Sequence, residues 1–231
     1  MPATKNILEL RQILAEKFPG LRIFSPDFPL TLRPCWPTGI SRLDALLQGG
    51  LAKGAVTELV AAKTGSGSAL LVQSLLRQTG ETNQFVALID GTDSLDLSPL
   101  DPEVLARLLW VRCANAAEAL KAADILLRDR NLPLVILDLK LNTARELNQI
   151  SGSVWHRLQR LLEQSSTAFL VVSPRPLVSR AEFRLALNDR FGLEDLERHP
   201  AELMENLAVE IIHQRGASDR EQTPPSAATS A

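Results

Sequence analysis

Cysteine is scarce: the chain of 231 residues carries two, Cys35 and Cys113, far apart in sequence. That excludes a disulfide framework as the source of stability and makes a reducing compartment the expected setting. Histidine is as thin. His156, His199 and His213 share no ligand spacing and have no paired cysteines beside them, so no metal centre is expected. No apolar run approaches the length of a bilayer span, and no charged-then-apolar leader opens the chain. A cytoplasmic protein, with no membrane partner, is the expectation. Charge of one sign is missing as well, the formal net charge being −2. A protein that coats nucleic acid by bulk electrostatics needs a positive excess. No internal repeat, nucleophile elbow or Ser/His/Asp order is visible. What the chain does have is apolar residues, 45% of it, enough to bury a sizeable core.

The most informative stretch runs from Thr38 to Leu76. Ser41 is placed to cap a short helix with Leu43, Leu46 and Leu47 on its apolar face, and Gly49-Gly50 ends it. Gly54 to Val60 reads as a strand buried inside a parallel sheet. The following residues, Ala61-Ala62-Lys63-Thr64-Gly65-Ser66-Gly67-Ser68, stand between strand and helix, where a phosphate-binding loop would lie. A working loop reads G-x-x-x-x-G-K-[ST]: backbone N–H groups cradle the phosphates, the lysine neutralises them and the hydroxyl holds Mg²⁺. Laid on that template, Ala61 and Ser66 replace the glycines and Gly67 replaces the lysine; only Ser68 fits. Lys63 precedes the turn. The plain alternative is a glycine-rich turn with no ligand.

The run TGISRLDALLQGGLAKGAVTEL, residues 38–59, resembles the opening of the core of RecA-family recombinases, which carry TG-x-x-x-LD…GG-x-x-x-G-x-x-x-E before their phosphate loop. More narrowly, about residues 5–215 resemble the ImuA family of RecA-like proteins. The resemblance implies an α/β fold of the RecA-like P-loop NTPase kind: a mostly parallel twisted sheet, helices on both faces, and an N-terminal helical arm. It also implies an accessory role in damage-induced, SOS-type mutagenic translesion DNA synthesis. The implied partners are an inactive Y-family-like polymerase homologue, an error-prone replicative-type polymerase, and RecA itself.

Residues 5–18 form a predicted amphipathic helix within a first segment, 1–20. A detached apolar stripe needs a surface to cover, so Leu10, Ile13, Leu14 and Phe18 are candidate partner-binding residues, against the bland reading of a helix folded back on its own domain. A proline-containing linker over 21–37 holds Trp36, a candidate interface anchor that could equally pack on the core edge. The core is expected over 38–215, with strands and helices alternating. Strands are predicted at 85–90, 108–112, 133–139 and 167–173, helices at 115–130 and 153–164. A last strand pair is predicted around Phe183–Leu187 and Leu207–His213, with a short helix from Pro200 between them. Residues 216–231 read as a disordered tail.

Asp138 ends the strand-like VILD and stands where an aspartate would steer Mg²⁺. In recombinases of the resembled family, strand 85–90 leads to a catalytic glutamate two residues past an aspartate. Here IDGTDSLD puts Asp90 on the aspartate and Thr92 on the glutamate, with Asp93 one residue away. Losing a positioned base costs about 10²- to 10⁴-fold in rate. The expectation is a non-hydrolytic protein with no catalytic residues and no cofactor. Thr64, Gly65, Ser66, Gly67, Ser68 and Asp138 are then a residual phosphate-loop position. The competing readings are a weak ATPase using Ser68, Asp138 and a displaced Lys63 with ATP and Mg²⁺, and a single-stranded-DNA-binding recombination mediator. For the latter, Arg175, Arg180 and Arg184 are the candidate DNA contacts, near Ser173-Pro174-Arg175-Pro176.

Overall fold

The computed structural model describes residues 34–96, 98–189 and 191–215. By its internal contacts the chain divides into Met1–Leu32 and Arg33–Ala231. The expected arm with Leu10, Ile13, Leu14 and Phe18, and the tail over 216–231, lie outside the described residues.

Seven strands form one mixed sheet. In chain order they are β3 (Ala55–Val60), β4 (Val86–Asp90), β5 (Leu108–Arg112), β6 (Leu134–Asp138), β7 (Ala168–Ser173), β8 (Phe183–Leu187) and β9 (Val209–Gln214). Their spatial order is β5-β4-β6-β7-β3-β8-β9. All neighbours are parallel except β8 and β9, which pair antiparallel at one edge. The fold is α/β, with a mostly parallel sheet flanked by helices.

The four central strands β4, β6, β7 and β3 are buried on both faces, which is why VALID, LVILD and AFLVVS are apolar up to their last residue rather than alternating. Side chains of β4 divide between two cores: Val86 and Leu88 join one, Ala87 and Ile89 the other. The first core takes Leu71, Leu75 and Leu76 from α2 (Ser68–Thr82) and Leu43 from α1 (Ser41–Leu46). The second takes Leu120, Ala123 and Leu127 from α4 (Ala116–Asp129), Leu147 from α5 (Ala144–Asn148), and Trp155, Leu158 and Leu162 from α6 (Gly152–Glu163). The spacing of these residues is one face of a 3.6-residue period. Each fully buried leucine contributes roughly 1.5–3 kcal/mol. Two short helices, α3 (Pro102–Leu105) and α7 (Pro200–Glu205), complete the described elements with a 3₁₀ turn at Leu193–Glu197.

Three expectations need correction. The core begins before Thr38: β1 (Cys35–Trp36) pairs antiparallel with β2 (Leu51–Ala52). That ladder folds the Trp36 indole into the first core at 1% exposure, so Trp36 is not an exposed anchor. Ser41 is not the cap of α1; Ile40 holds that position without a side-chain cap. The polar closure comes from Asp44, whose Oδ1 accepts the Thr38 N–H at 2.8 Å, and from Thr38 Oγ1, which accepts the Ile40 N–H at 3.2 Å. Leu46 leaves the apolar face and is 40% exposed.

Candidate functional site

Because β3, β4, β6 and β7 run parallel, their carboxyl ends share one rim, and the loops that follow them converge there. The Ala61 N–H still bonds to the Ser173 carbonyl at 2.8 Å, after which the chain turns away through Gly65 (φ +71°) and Gly67 (φ +85°) and enters α2 at Ser68. Both φ values are left-handed, the region glycine enters without strain. Lys63, Thr64 and Gly65 face solvent, whereas Ser66 is fully buried and Ser68 is 5% exposed.

Between these two hydroxyls lies a cation that sequence reasoning missed. Lys140, two residues beyond Asp138, donates from Nζ to Ser68 Oγ at 2.8 Å and to Ser66 Oγ at 3.1 Å. Its backbone N–H donates to Asp138 Oδ1 at 2.9 Å. Burial pushes the Asp138 carboxyl up to about 6, helped by the nearby charge of Asp90 and opposed by Lys140. Burial also lowers the Lys140 ammonium below its ordinary range, against the pull of Asp138. Lys63, the expected displaced lysine, is exposed; the cation at the loop comes instead from the turn after β6.

The outer side of the loop is covered by the segment between β8 and β9. The Phe191 N–H donates to the Gly65 carbonyl at 2.8 Å. A β-carbon added at Gly67 would lie 2.3 Å from Leu207 Cδ2 and 2.8 Å from the Phe191 ring. The glycine is therefore needed for close approach of the protein's own side chains.

At the end of β4, Thr92 bonds from its hydroxyl to Ser94 Oγ at 3.0 Å and from its N–H to Asp90 Oδ1 at 3.2 Å. Asp90 also accepts the Ser94 and Leu95 N–H groups, each at 2.8 Å, so it caps a turn. Asp93 pairs with Arg112, whose Nη2 donates to its Oδ2 at 2.6 Å. The side-chain hydrogen bond from Arg112 holds its carboxyl below the usual range. Neither residue is placed as a general base.

The arginines divide. Arg175 and Arg180 are exposed, and Arg175 bonds to Asn148 Oδ1. Arg184 is largely buried and paired within the fold: its Nε donates to buried Glu58 Oε2 at 2.6 Å and its Nη2 to the Val178 carbonyl at 2.5 Å. A cleft of about 400 Å³ lies elsewhere, between α4, α5 and α6, lined among others by Leu120, Lys121, Ile150, Val154 and Arg157.

The residues at the rim do not fit a Mg-nucleotide. Ser68 and Asp138 are the residues expected at the hydroxyl and aspartate positions, but the Ser68 oxygen already accepts from an ammonium and the glycine turn is filled by Phe191 and Leu207. Among the described residues no group of three or more His, Cys, Asp or Glu could hold a metal ion, and no helix is long and apolar enough to cross a membrane. No protein-family model matches the chain, and no curated protein matches it.

Proposed function

We propose that this chain is a non-hydrolytic, RecA-like accessory protein of damage-induced mutagenic translesion synthesis, of the ImuA kind, working through protein–protein contacts. The resemblance at residues 38–59 motivates the family, and the strand order with a single antiparallel edge pair supports the RecA-like fold. The observation that carries the non-hydrolytic part is the closed loop: Lys140 holds Ser66 and Ser68, and the Phe191 N–H holds the Gly65 carbonyl. A phosphoryl-transfer site instead needs loop N–H groups and a cation aimed at a phosphate, a free hydroxyl for Mg²⁺, and a group that orients water. Thr92, whose hydroxyl donates to Ser94 Oγ, has no basic group to take a proton from that water.

The partners proposed are an inactive Y-family-like polymerase homologue and an error-prone replicative-type polymerase, with RecA as a further contact. DNA contact is weak or indirect, since Arg184 is spent inside the fold. The test is a pair of measurements on the purified full chain. Direct binding to the polymerase homologue is expected, with no ATP turnover above background. ATP turnover comparable to an intact recombinase, abolished by Ser68→Ala or Asp138→Asn, would overturn the reading, as would failure to bind either polymerase.

A further inference from the structure

In a working phosphate loop, a divalent cation lies against the loop hydroxyl and is steered by the aspartate at the end of a neighbouring strand. The corresponding residues here are Ser68 and Asp138, and the cation against Ser68 Oγ is the Lys140 ammonium, 2.8 Å away. It is anchored at both ends, because the backbone N–H of Lys140 is held by Asp138 Oδ1. An ammonium has three donors, and two of them are taken by Ser66 and Ser68, hydroxyls almost wholly removed from water. Ser68 thus finds inside the chain the acceptor role that a metal would otherwise give it, and Ser66 shares the same ammonium.

We propose that Lys140 is a built-in counter-cation that takes the metal position beside Ser68 and keeps the loop folded without nucleotide. This rests on reading the loop as a former phosphate loop, and goes beyond it by naming the residue that now does the ligand's structural work. The loop should then be in one state at all times, presenting Lys63, Thr64 and Gly65 to solvent in a fixed arrangement.

The experiment is amide hydrogen exchange across residues 62–71 of the full chain. In the wild type, protection is expected to be the same with and without Mg-ATP or tripolyphosphate. Lys140→Ala should lower it at least about tenfold, while Lys140→Arg, which keeps a cation, should retain most of it. Ethylammonium at tens of millimolar should restore protection to Lys140→Ala, and tetramethylammonium, which has no N–H to donate, should not. If Lys140→Ala fails to fold, Ser68→Ala gives the same reading, since it removes the acceptor at 2.8 Å. Unchanged exchange in these variants overturns the proposal, as does rescue by tetramethylammonium. So does tripolyphosphate binding by the wild type that Lys140→Ala abolishes, which would make the lysine a phosphate ligand. Loss of polymerase binding, by contrast, would sink the proposed function and leave this inference standing.

Discussion

Glu58 has no exposed surface, yet its carboxylate gathers four hydrogen bonds. Its Oε1 accepts the N–H groups of Leu177 at 2.5 Å and Val178 at 3.0 Å and the Ser173 hydroxyl at 3.3 Å; its Oε2 accepts Arg184 Nε at 2.6 Å. One carboxylate thus fixes the turn after β7 and ties β3 to β8. Removing one partner of a buried pair costs about 3–5 kcal/mol, because the other charge is stranded. The two partners are unequal here. Arg184 retains 19% side-chain exposure and can turn toward water, whereas Glu58 cannot. Arg184→Met is therefore expected to destabilise at least as much as Glu58→Gln, measured as urea unfolding free energies. The reverse order would mean that the backbone N–H bonds, not the charge pair, carry the site. Asp138 gives a second test at this scale. Its folded-state pKa is raised from 3.8 to about 6 by burial, so between about pH 4 and pH 6 the folded chain keeps a proton that the unfolded chain has lost. Stability contributed by this group falls as pH rises through that window. Asp138→Asn should flatten the slope there and raise stability at pH 7 by about 1–3 kcal/mol, since each tenfold change in proton affinity is worth about 1.4 kcal/mol. An unchanged slope would mean that the carboxylate is solvated. The sequence singles out Ser68 by the loop template, and Asp138 and Thr92 by their places at or just past the ends of strand-like runs. Lys140 could not, since 72 residues separate it from Ser68 and only the sheet order brings the two together.

At the scale of elements, runs of apolar residues locate the central strands almost to the residue, β7 for instance lying at Ala168–Ser173 against an expected 167–173. Buried strands leave little choice, because each side chain enters one core or the other. The short first helix was less legible. Its closure uses Thr38 and Asp44, six residues apart, and its exit uses Gln48 at φ +59° and two glycines. Gly50 is the decisive one. At φ +124°, a β-carbon there would lie 2.2 Å from the Trp36 carbonyl oxygen, so the β1–β2 ladder and any side chain at residue 50 are incompatible. Gly50→Ala is expected to destabilise by about 2 kcal/mol or more, with the backbone strained and the ladder displaced. The checks are the melting midpoint and Trp36 fluorescence, which should move to the red as the indole is uncovered. A change under about 0.5 kcal/mol would show that the ladder is dispensable. An ordinary cap gives the comparison: Asn115 Oδ1 accepts the Glu118 N–H at 3.0 Å while Glu118 Oε2 accepts the Ala114 N–H at 3.0 Å. Asn115→Ala should cost about 1 kcal/mol.

For the folded unit as a whole, the question is whether two cores on opposite faces of one sheet behave as one. Trp36 belongs to the first core and Trp155 to the second, and the layer between them is β4, β6, β7 and β3, whose alternate residues enter both. A sheet with unbroken ladders cannot lose the packing on one face and keep its strands in place for the other, because the same backbone carries both sets of side chains. The two cores should therefore melt together. Leu75→Ala removes a buried side chain from the first core and Leu158→Ala one from the second, each expected to cost about 2–5 kcal/mol in proportion to the cavity it leaves. In single-tryptophan backgrounds, Leu75→Ala should shift the midpoint read at Trp155 by as much as the midpoint read at Trp36. The double variant should equal the sum of the single ones within about 0.5 kcal/mol, since distant sites add. Coincident transitions are the mark of a cooperative unit. They also bear on the rim, because the loops carrying Ser68, Asp138 and Lys140 leave strands of that same shared layer and are only as fixed as it is. If Trp155 melted apart from Trp36 in Leu75→Ala, the sheet would be transmitting nothing between its faces.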